Sequence, residues 1–155
     1  MRPLGRRTAI AVFAVAVSAH PAPAPTETAQ EAPCVTGTPV VTAGYTIDGY
    51  APALPTARFE SGYQPEPAWA DDHVVGTYTF GVPSPVAEGF AYAQFKCQYY
   101  CRSSPAASFF VGYVGSRSGS LCTCYDELLD TEKFVAYNES LVGAWNHICP
   151  AKSLD

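Results

Sequence analysis

The sequence predicts an α+β fold, a small disulfide-stapled domain in which one central helix packs on an antiparallel sheet. Three observations favour this class. The chain has an even number of cysteines, six, all placed after an N-terminal pattern typical of secretion. One stretch carries apolar residues at helical spacing. The remaining stretches alternate between short aromatic or β-branched runs and turns rich in Gly and Pro.

The N-terminal segment "MRPLGRRTAIAVFAVAVSA" joins three arginines to an apolar run that small residues close at Ser18 and Ala19. This is the pattern of a secretory signal peptide. The apolar run is shorter than the ~20 residues that a membrane-crossing helix requires, although an uncleaved anchor is the alternative. We therefore predict a signal peptide over residues 1–19, a flexible Pro/Ala-rich leader over 20–33, and a single disulfide-rich domain over 34–150.

The net charge of the chain limits the classes of partner that are expected. After cleavage six basic and fourteen acidic side chains remain, so the mature chain has a net charge of −8. Without a basic run, nucleic acid and anionic membranes are not expected partners, and no membrane insertion is expected after cleavage. We predict a secreted, extracellular protein with cell-wall association as a further expectation. The sequon "YNES" predicts N-glycosylation at Asn138.

The elements follow in chain order. Strand-like pieces occur at "GYTIDGY", "ARFESGY" and "HVVGTYTF", with turns predicted at "APALP" and "QPEP". Helical spacing then links Phe90, Ala93, Cys97, Tyr100 and Cys101, and this helix begins either near Pro85, with Ser84 as its cap, or near Glu88.

Beyond the helix, "SFFVGYV" and "LCTCYD" predict a hairpin around the polar turn "GSRSGS". The segment "DELLDTEKFVAYN" contains a possible short helix, and "LVGAWNHIC" closes the domain with aromatic and apolar residues.

The cysteines form two matched pairs, C-x3-C at Cys97 and Cys101 and C-x-C at Cys122 and Cys124. These spacings are imperfect for zinc, and an oxidising compartment favours disulfides. Positions i and i+4 of a helix share a face about 6 Å apart, and positions i and i+2 of a strand share one just under ~7 Å apart. Two pairings satisfy this match: 97–124 with 101–122, or 97–122 with 101–124.

We predict the nested pairing, Cys97–Cys124 and Cys101–Cys122, which requires the helix and the return strand to run roughly antiparallel. Cys34 and Cys149 then remain to join the two ends of the domain.

This pattern resembles the WSC domain and the broader PAN/apple group over about residues 88–126. The C-x3-C pair matches the helix of those modules, "FFVGY" their aromatic strand and "CTC" their C-x-C strand. The resemblance implies a central helix tied by two disulfides to a curved antiparallel sheet, often with a third bridge between the termini. This chain departs from it by lacking the usual WSC opening and its extra later cysteines, and by long segments between cysteines.

The resemblance also implies function, because WSC-like modules are associated with glycan or cell-wall binding and PAN/apple modules with protein or carbohydrate binding. Glycan binding requires aromatic faces for the sugar rings and polar groups for the hydroxyls. Core packing is the competing role for each of these side chains. The candidate ligand-binding residues are Tyr99, Tyr113, Tyr125, Asp126, Trp145 and Asn146.

Enzymatic interpretations find less support, and we predict a protein that is not an enzyme, with no cofactor and no metal. Asp71–His73, and the carboxylates Glu88, Asp126 and Glu127, offer acid–base groups, but no spacing places two of them across a cleft.

His20 would become the N-terminal residue after cleavage. An N-terminal histidine can bind copper, as in copper-dependent polysaccharide oxygenases, if His73 or His147 supplies a second ligand.

Two function classes therefore remain. The first is a secreted binding module for glycan or cell-wall polysaccharide. The alternative is a small secreted interaction protein, effector-like or at the wall surface, with a protein ligand.

Overall fold

The chain builds a five-stranded antiparallel sheet with a helix on one face and a smaller layer on the other, as the computed structural model shows. It describes residues 33–57, 61–82, 85–115, 119–137 and 141–150, all within the compact unit Glu31–Asp155. The signal peptide, nearly all of the leader including His20, and the sequon residue Asn138 lie outside the described residues and stay predictions.

The described elements comprise nine strands, two helices and a 3₁₀ turn. The strands are Val40–Thr42 (β1), Tyr45–Ile47 (β2), Tyr50–Ala57 (β3), Tyr63–Pro65 (β4), Val74–Phe80 (β5), Ser108–Gly115 (β6), Gly119–Tyr125 (β7), Phe134–Ala136 (β8) and Val142–His147 (β9). The helices are Pro67–His73 (α1) and Val86–Arg102 (α2), and the 3₁₀ turn spans Thr131–Lys133. The main sheet has the order β3-β9-β6-β7-β5, while β1–β2 and β4–β8 form separate two-stranded sheets. The predicted α+β, disulfide-rich class is confirmed.

Helix α2 covers one face of the main sheet. Its predicted stripe is buried at Phe90, Ala93, Cys97 and Cys101, while Tyr100 lies half-buried at the margin. These side chains meet the residues of β6 and β7 that alternate toward the helix. None of the helices in the described ranges combines the length and apolarity needed to cross a membrane.

The opposite face of the sheet is covered by α1 and by the β4–β8 pair, around buried Tyr63, Tyr125 and Leu129. Helix α1 was not predicted, because "QPEP" read as a turn. The side chain of Glu66 accepts a hydrogen bond from the Trp69 N–H at 2.8 Å, and Pro67 occupies the first helical position. Capping and a pre-set proline φ therefore start a helix at this point.

Two other local predictions were wrong. The predicted turn "APALP" lies inside β3, where the register is irregular between Pro52 and Leu54 and again between Leu54 and Ala57. Because β3 is an edge strand, its prolines interrupt no second ladder. The possible short helix after β7 is only the 3₁₀ turn, followed by β8.

The three disulfides are Cys34–Cys149, Cys97–Cys122 and Cys101–Cys124. The bridge between the ends of the domain agrees with the prediction. The nested pairing was wrong, and the alternative pairing is formed. The sulfurs of Cys101 and Cys122, which were predicted to bond, are in non-bonded contact at 3.6 Å.

The relative direction of α2 and β7 explains why the alternative pairing is formed. Strand β6 follows α2 after a short connection and then pairs antiparallel with β7. These two reversals give β7 the direction of α2, so the first cysteine of the helix meets the first cysteine of the strand. The Cα atoms of the two bridges are 5.7 and 5.5 Å apart, within the usual range for a disulfide. The matched spacings thus do allow two adjacent bridges between helix and strand.

Candidate functional site

The solvent side of α2 carries a row of aromatic rings. Tyr92, Phe95 and Tyr99 recur at spacings of three and four on the side away from the cysteines, and Tyr45 of β2 leans onto them. Neighbouring ring centroids are 5.6 Å (Tyr45–Tyr92), 5.4 Å (Tyr45–Phe95) and 5.1 Å (Phe95–Tyr99) apart. Tyr99 is 49% exposed and the other three are half-buried. We call these four residues the aromatic row.

A buried glutamine fixes the position of β2 beside α2. The Gln98 side chain donates to the Thr46 carbonyl at 2.9 Å and accepts from the Asp48 N–H at 3.1 Å. Gln98 is fully buried, so both of its polar ends are satisfied by this strand and the turn after it. The position of Tyr45 in the row and that of Asp48 at its end therefore depend on one side chain of α2.

The row leads into an open groove of about 690 Å³. The Arg102 guanidinium lies 5.6 Å from the centroid of the Tyr99 ring, forms an ion pair with Asp48 and lines the groove. His147 and Ile148, at the end of β9, line it from the other side. Its volume is in the range of small-molecule and sugar-sized sites. Arg102 thus joins the aromatic row, through Tyr99, to the hydrogen-bonding groups of the groove.

Gly49 makes room for the arginine. A Cβ atom at this position would lie 2.0 Å from a guanidinium nitrogen of Arg102. Any larger residue therefore displaces the charged end of that side chain. The geometry of the groove therefore depends on Gly49 as well as on the Asp48–Arg102 ion pair.

The predicted candidates are not brought together. Tyr99 belongs to the aromatic row, while Tyr113 of β6 is half-buried and packs against the main core. Trp145 is 3% exposed and donates its indole N–H to Gln94 at 3.0 Å. Asn146 is 8% exposed and pairs with the backbone of Leu129 through both ends of its amide. Trp145 and Asn146 are held in the core and offer no ring face or free amide to a ligand.

Tyr125 and Asp126 lie together at the end of β7, on the α1 side of the sheet. Tyr125 is 3% exposed and packs on Trp69, and burial raises its pKa to about 12. Asp126 is half-exposed and lies 2.9 Å from Nδ1 of His73, whose ring stacks on Trp69. These contacts tie α1 to the end of β7.

The neighbouring carboxylate, Glu127, is held by Lys133. The Lys133 ammonium donates to Glu127 at 3.1 Å and lies 4.9 Å from the centroid of the Trp69 ring. The hydrogen bond from Lys133 lowers the pKa of Glu127 below the usual value for a glutamate. Glu127 is therefore engaged in an ion pair with Lys133, and Asp126 lies within hydrogen-bonding distance of the His73 ring.

The hypothesis of a carboxylate pair with Glu88 is not supported by position. Glu88 lies in the first turn of α2, about 20 Å along the helix from Cys101 at 1.5 Å per residue. Cys101 is bonded to Cys124, two residues before Asp126. Glycoside hydrolases hold their carboxyl groups within ~10 Å, so Glu88 and Asp126 do not form such a pair.

Sequence reasoning missed most of the site, namely Tyr45, Asp48, Gly49, Tyr92, Phe95 and Arg102. A signal did exist for part of it. Residues 92, 95, 99 and 102 form a second stripe on α2 opposite the cysteines, where an amphipathic helix usually carries only polar residues. The contributions of β2 and the β2–β3 turn had no local signal.

Comparisons with protein-family models, with curated proteins and with solved structures found no match to this chain. The fold and its bridges define a small disulfide-rich α+β protein, and several disulfides fit an extracellular protein.

Proposed function

We propose that this protein is a secreted binding module for a glycan, such as a cell-wall polysaccharide, and that it binds without catalysing a reaction. The observation that carries the proposal is the aromatic row that leads into the Asp48–Arg102 groove. Aromatic rings supply apolar faces for sugar rings, and the ion pair supplies donors and acceptors for hydroxyls. The resemblance of residues 88–126 to WSC and PAN/apple modules adds support, and a relationship to them is part of the proposal.

The angles between the ring planes of the aromatic row favour binding of a single glycan chain over a flat crystalline surface. Neighbouring planes in the row are inclined by 60° (Tyr45–Tyr92), 38° (Tyr45–Phe95) and 76° (Phe95–Tyr99). Rings inclined in this way cannot all lie flat on one planar crystalline surface. They can contact a single chain that bends and turns its sugar units along the row. The proposed ligand is therefore a single, soluble glycan chain.

The test is affinity electrophoresis and calorimetry of the secreted protein with soluble β-glucan and chitin oligosaccharides. Tyr99→Ala should weaken binding about tenfold, since losing one stacking partner and its buried area costs ~1–2 kcal/mol. Tyr78→Ala is the matched control. Tyr78 is 47% exposed, similar to Tyr99, but lies on β5 and stacks on Tyr100 outside the row.

Equal loss of binding in the Tyr99→Ala and Tyr78→Ala variants would contradict the assignment of the site. Failure of the unaltered protein to bind any glycan in the series would contradict the proposed function itself.

A protein ligand is the second candidate, because β5 ends the main sheet with no further strand beside it among the described residues, where the Tyr100 hydroxyl donates to the Thr77 carbonyl at 3.0 Å. Edge strand β5 has no charged residue, and Val74, Val75 and Tyr78 are 41%, 37% and 47% exposed. Such an edge can accept an added strand from a partner. Thr79→Lys would place a charge on this edge. Loss of a partner protein in that variant, with glycan binding absent throughout, would favour the second candidate.

A further inference from the structure

We propose that the Asp48–Arg102 pair makes the groove selective for neutral sugars and against uronic acids and other anionic sugars. This inference rests on the proposed function and names the class of glycan that the same site accepts.

The ion pair presents donors and acceptors side by side. An arginine guanidinium offers five N–H donors in a planar fork, and a carboxylate offers only acceptors. The Asp48 and Arg102 side chains are 51% and 36% exposed, so both retain surface that faces the groove and solvent. A sugar hydroxyl both donates and accepts. Two adjacent hydroxyls can therefore bind the pair together, one accepting from Arg102 and the other donating to Asp48.

An anionic sugar meets a different balance. The carboxylate of Asp48 already neutralises the guanidinium of Arg102, so the pair adds no net positive charge to the groove. A uronate must either compete with Asp48 for the arginine or lie beside a like charge, and like charges at close range are unfavourable. The chain has a formal net charge of −5, which the predicted removal of residues 1–19 would change to −8, and this negative charge opposes the approach of a polyanion.

The arginine is held in this arrangement from three sides. The centroid of the Tyr99 ring lies 5.6 Å from the Arg102 guanidinium carbon, and the Asp48 carboxylate forms an ion pair with the guanidinium. Gly49, which has no side chain, packs against the same group. Asp48 is itself positioned by the hydrogen bond from its N–H to Gln98. The pair is therefore pre-organised before a ligand arrives, which lowers the ordering cost of binding.

The experiment compares neutral hexasaccharides of glucose and N-acetylglucosamine with a galacturonate hexasaccharide of the same length, by calorimetry on the secreted protein. We expect the neutral ligands to bind at least about tenfold tighter. Asp48→Asn leaves the guanidinium without its carboxylate and should raise galacturonate affinity about tenfold, as expected when arginine becomes free for a bidentate carboxylate contact. Asp126→Asn is the matched control, because it removes the same charge from an exposed carboxylate at a different surface.

Gly49→Ala gives a second test that keeps both charged groups. It displaces the guanidinium and should lower affinity for the neutral ligands about tenfold while the thermal unfolding temperature changes little, since the clash is with the end of a flexible side chain. Tighter binding of galacturonate than of neutral ligands by the unaltered protein would overturn the inference. An equal gain of galacturonate binding in Asp48→Asn and Asp126→Asn would also overturn it. Neutral and anionic sugars bound equally well would leave the proposed function standing and refute the selectivity alone.

Discussion

At the scale of single residues, the buried side chain of Gln94 determines the role of Trp145. Gln94 is 1% exposed on α2, and its Oε1 accepts from the Trp145 indole at 3.0 Å and from the Thr56 hydroxyl at 3.5 Å. The close approach is possible because Gly143 lies opposite, where a Cβ would come within 2.5 Å of the same oxygen. Trp145 is thereby a core residue with its polar atom satisfied inside the protein.

This bond predicts a non-additive pair of substitutions. Gln94→Met leaves the Trp145 N–H buried without an acceptor, which should cost about 1–3 kcal/mol of unfolding free energy. In a Trp145→Phe background no N–H remains, so the same substitution should cost about 1 kcal/mol less. Urea unfolding of the two single variants and the double variant measures the difference. Strictly additive losses would show that the hydrogen bond does not contribute.

At the scale of elements, the best predictions came from residues whose packing is decided locally. The strand at Val74–Phe80 was predicted in the right place from its β-branched and aromatic residues, although its faces were not predicted and only Phe80 in it is buried. The buried stripe of α2 was predicted correctly, because 3.6-residue spacing shows which side chains of a helix face a core. The segment "APALP" failed, since proline marks a turn unless the strand lies at a sheet edge, and edge position is a tertiary property.

The disulfide pairing shows a second limit at this scale. Matched spacings predicted that two bridges would join α2 to β7, but the choice between pairings depended on relative direction. Counting the reversals before and after β6 gives the observed parallel direction, and the nested choice did not use that count. Because all four sulfurs are close together, the spacing of the cysteines alone could not decide.

The observed pairing predicts which double replacements are tolerated. Replacing Cys101 and Cys124 together by Ala removes one complete bridge, and the domain should stay folded but lose about 2–4 kcal/mol of stability. Replacing Cys101 and Cys122 together breaks both bridges, leaving Cys97 and Cys124 without their partners, so the loss should be clearly larger. Denaturant unfolding and thiol counting compare the two variants. A smaller loss in the second variant would support the nested pairing instead.

At the scale of the whole molecule, the candidate site joins parts of the chain that are far apart in sequence. Asp48 and Gly49 follow β2, Arg102 ends α2, and His147 ends β9, with Ile148 following it beside the Cys34–Cys149 bridge. None of these segments carries a motif in isolation, so Tyr99 is the one predicted glycan-binding residue that lies in the site, and His147 was named only as a candidate copper ligand. The groove exists because the sheet order places β9 next to β3, which brings the C-terminal segment against the β2–β3 turn.

The whole core also determines how the protein responds to alkali. Burial raises the pKa of Tyr50 to about 12, and it also raises the pKa of Tyr63 and, to about 12, that of Tyr125. In the unfolded chain a tyrosine ionises near ~10. The contribution of each to stability is therefore fully present below pH ~10 and is lost as the pH rises through its folded-state pKa, which is about 12 for Tyr50 and Tyr125. Over this interval the unfolding constant should rise up to about tenfold per pH unit for each buried tyrosine.

Tyr50 gives the sharpest test of this behaviour. Its hydroxyl is buried without a hydrogen-bond partner in the described structure, so Tyr50→Phe should leave the unfolding free energy at pH 7 unchanged or raise it. The same variant should unfold less steeply between pH 10 and 12, because one proton-releasing group is gone. Tyr63→Phe is the control: its hydroxyl donates to the Pro55 carbonyl at 2.9 Å, so its loss should cost about 0.5–1.5 kcal/mol at pH 7. Circular dichroism against denaturant at a series of pH values measures both effects, and an equal loss in the two variants at pH 7 would show that the Tyr50 hydroxyl has a stabilising partner.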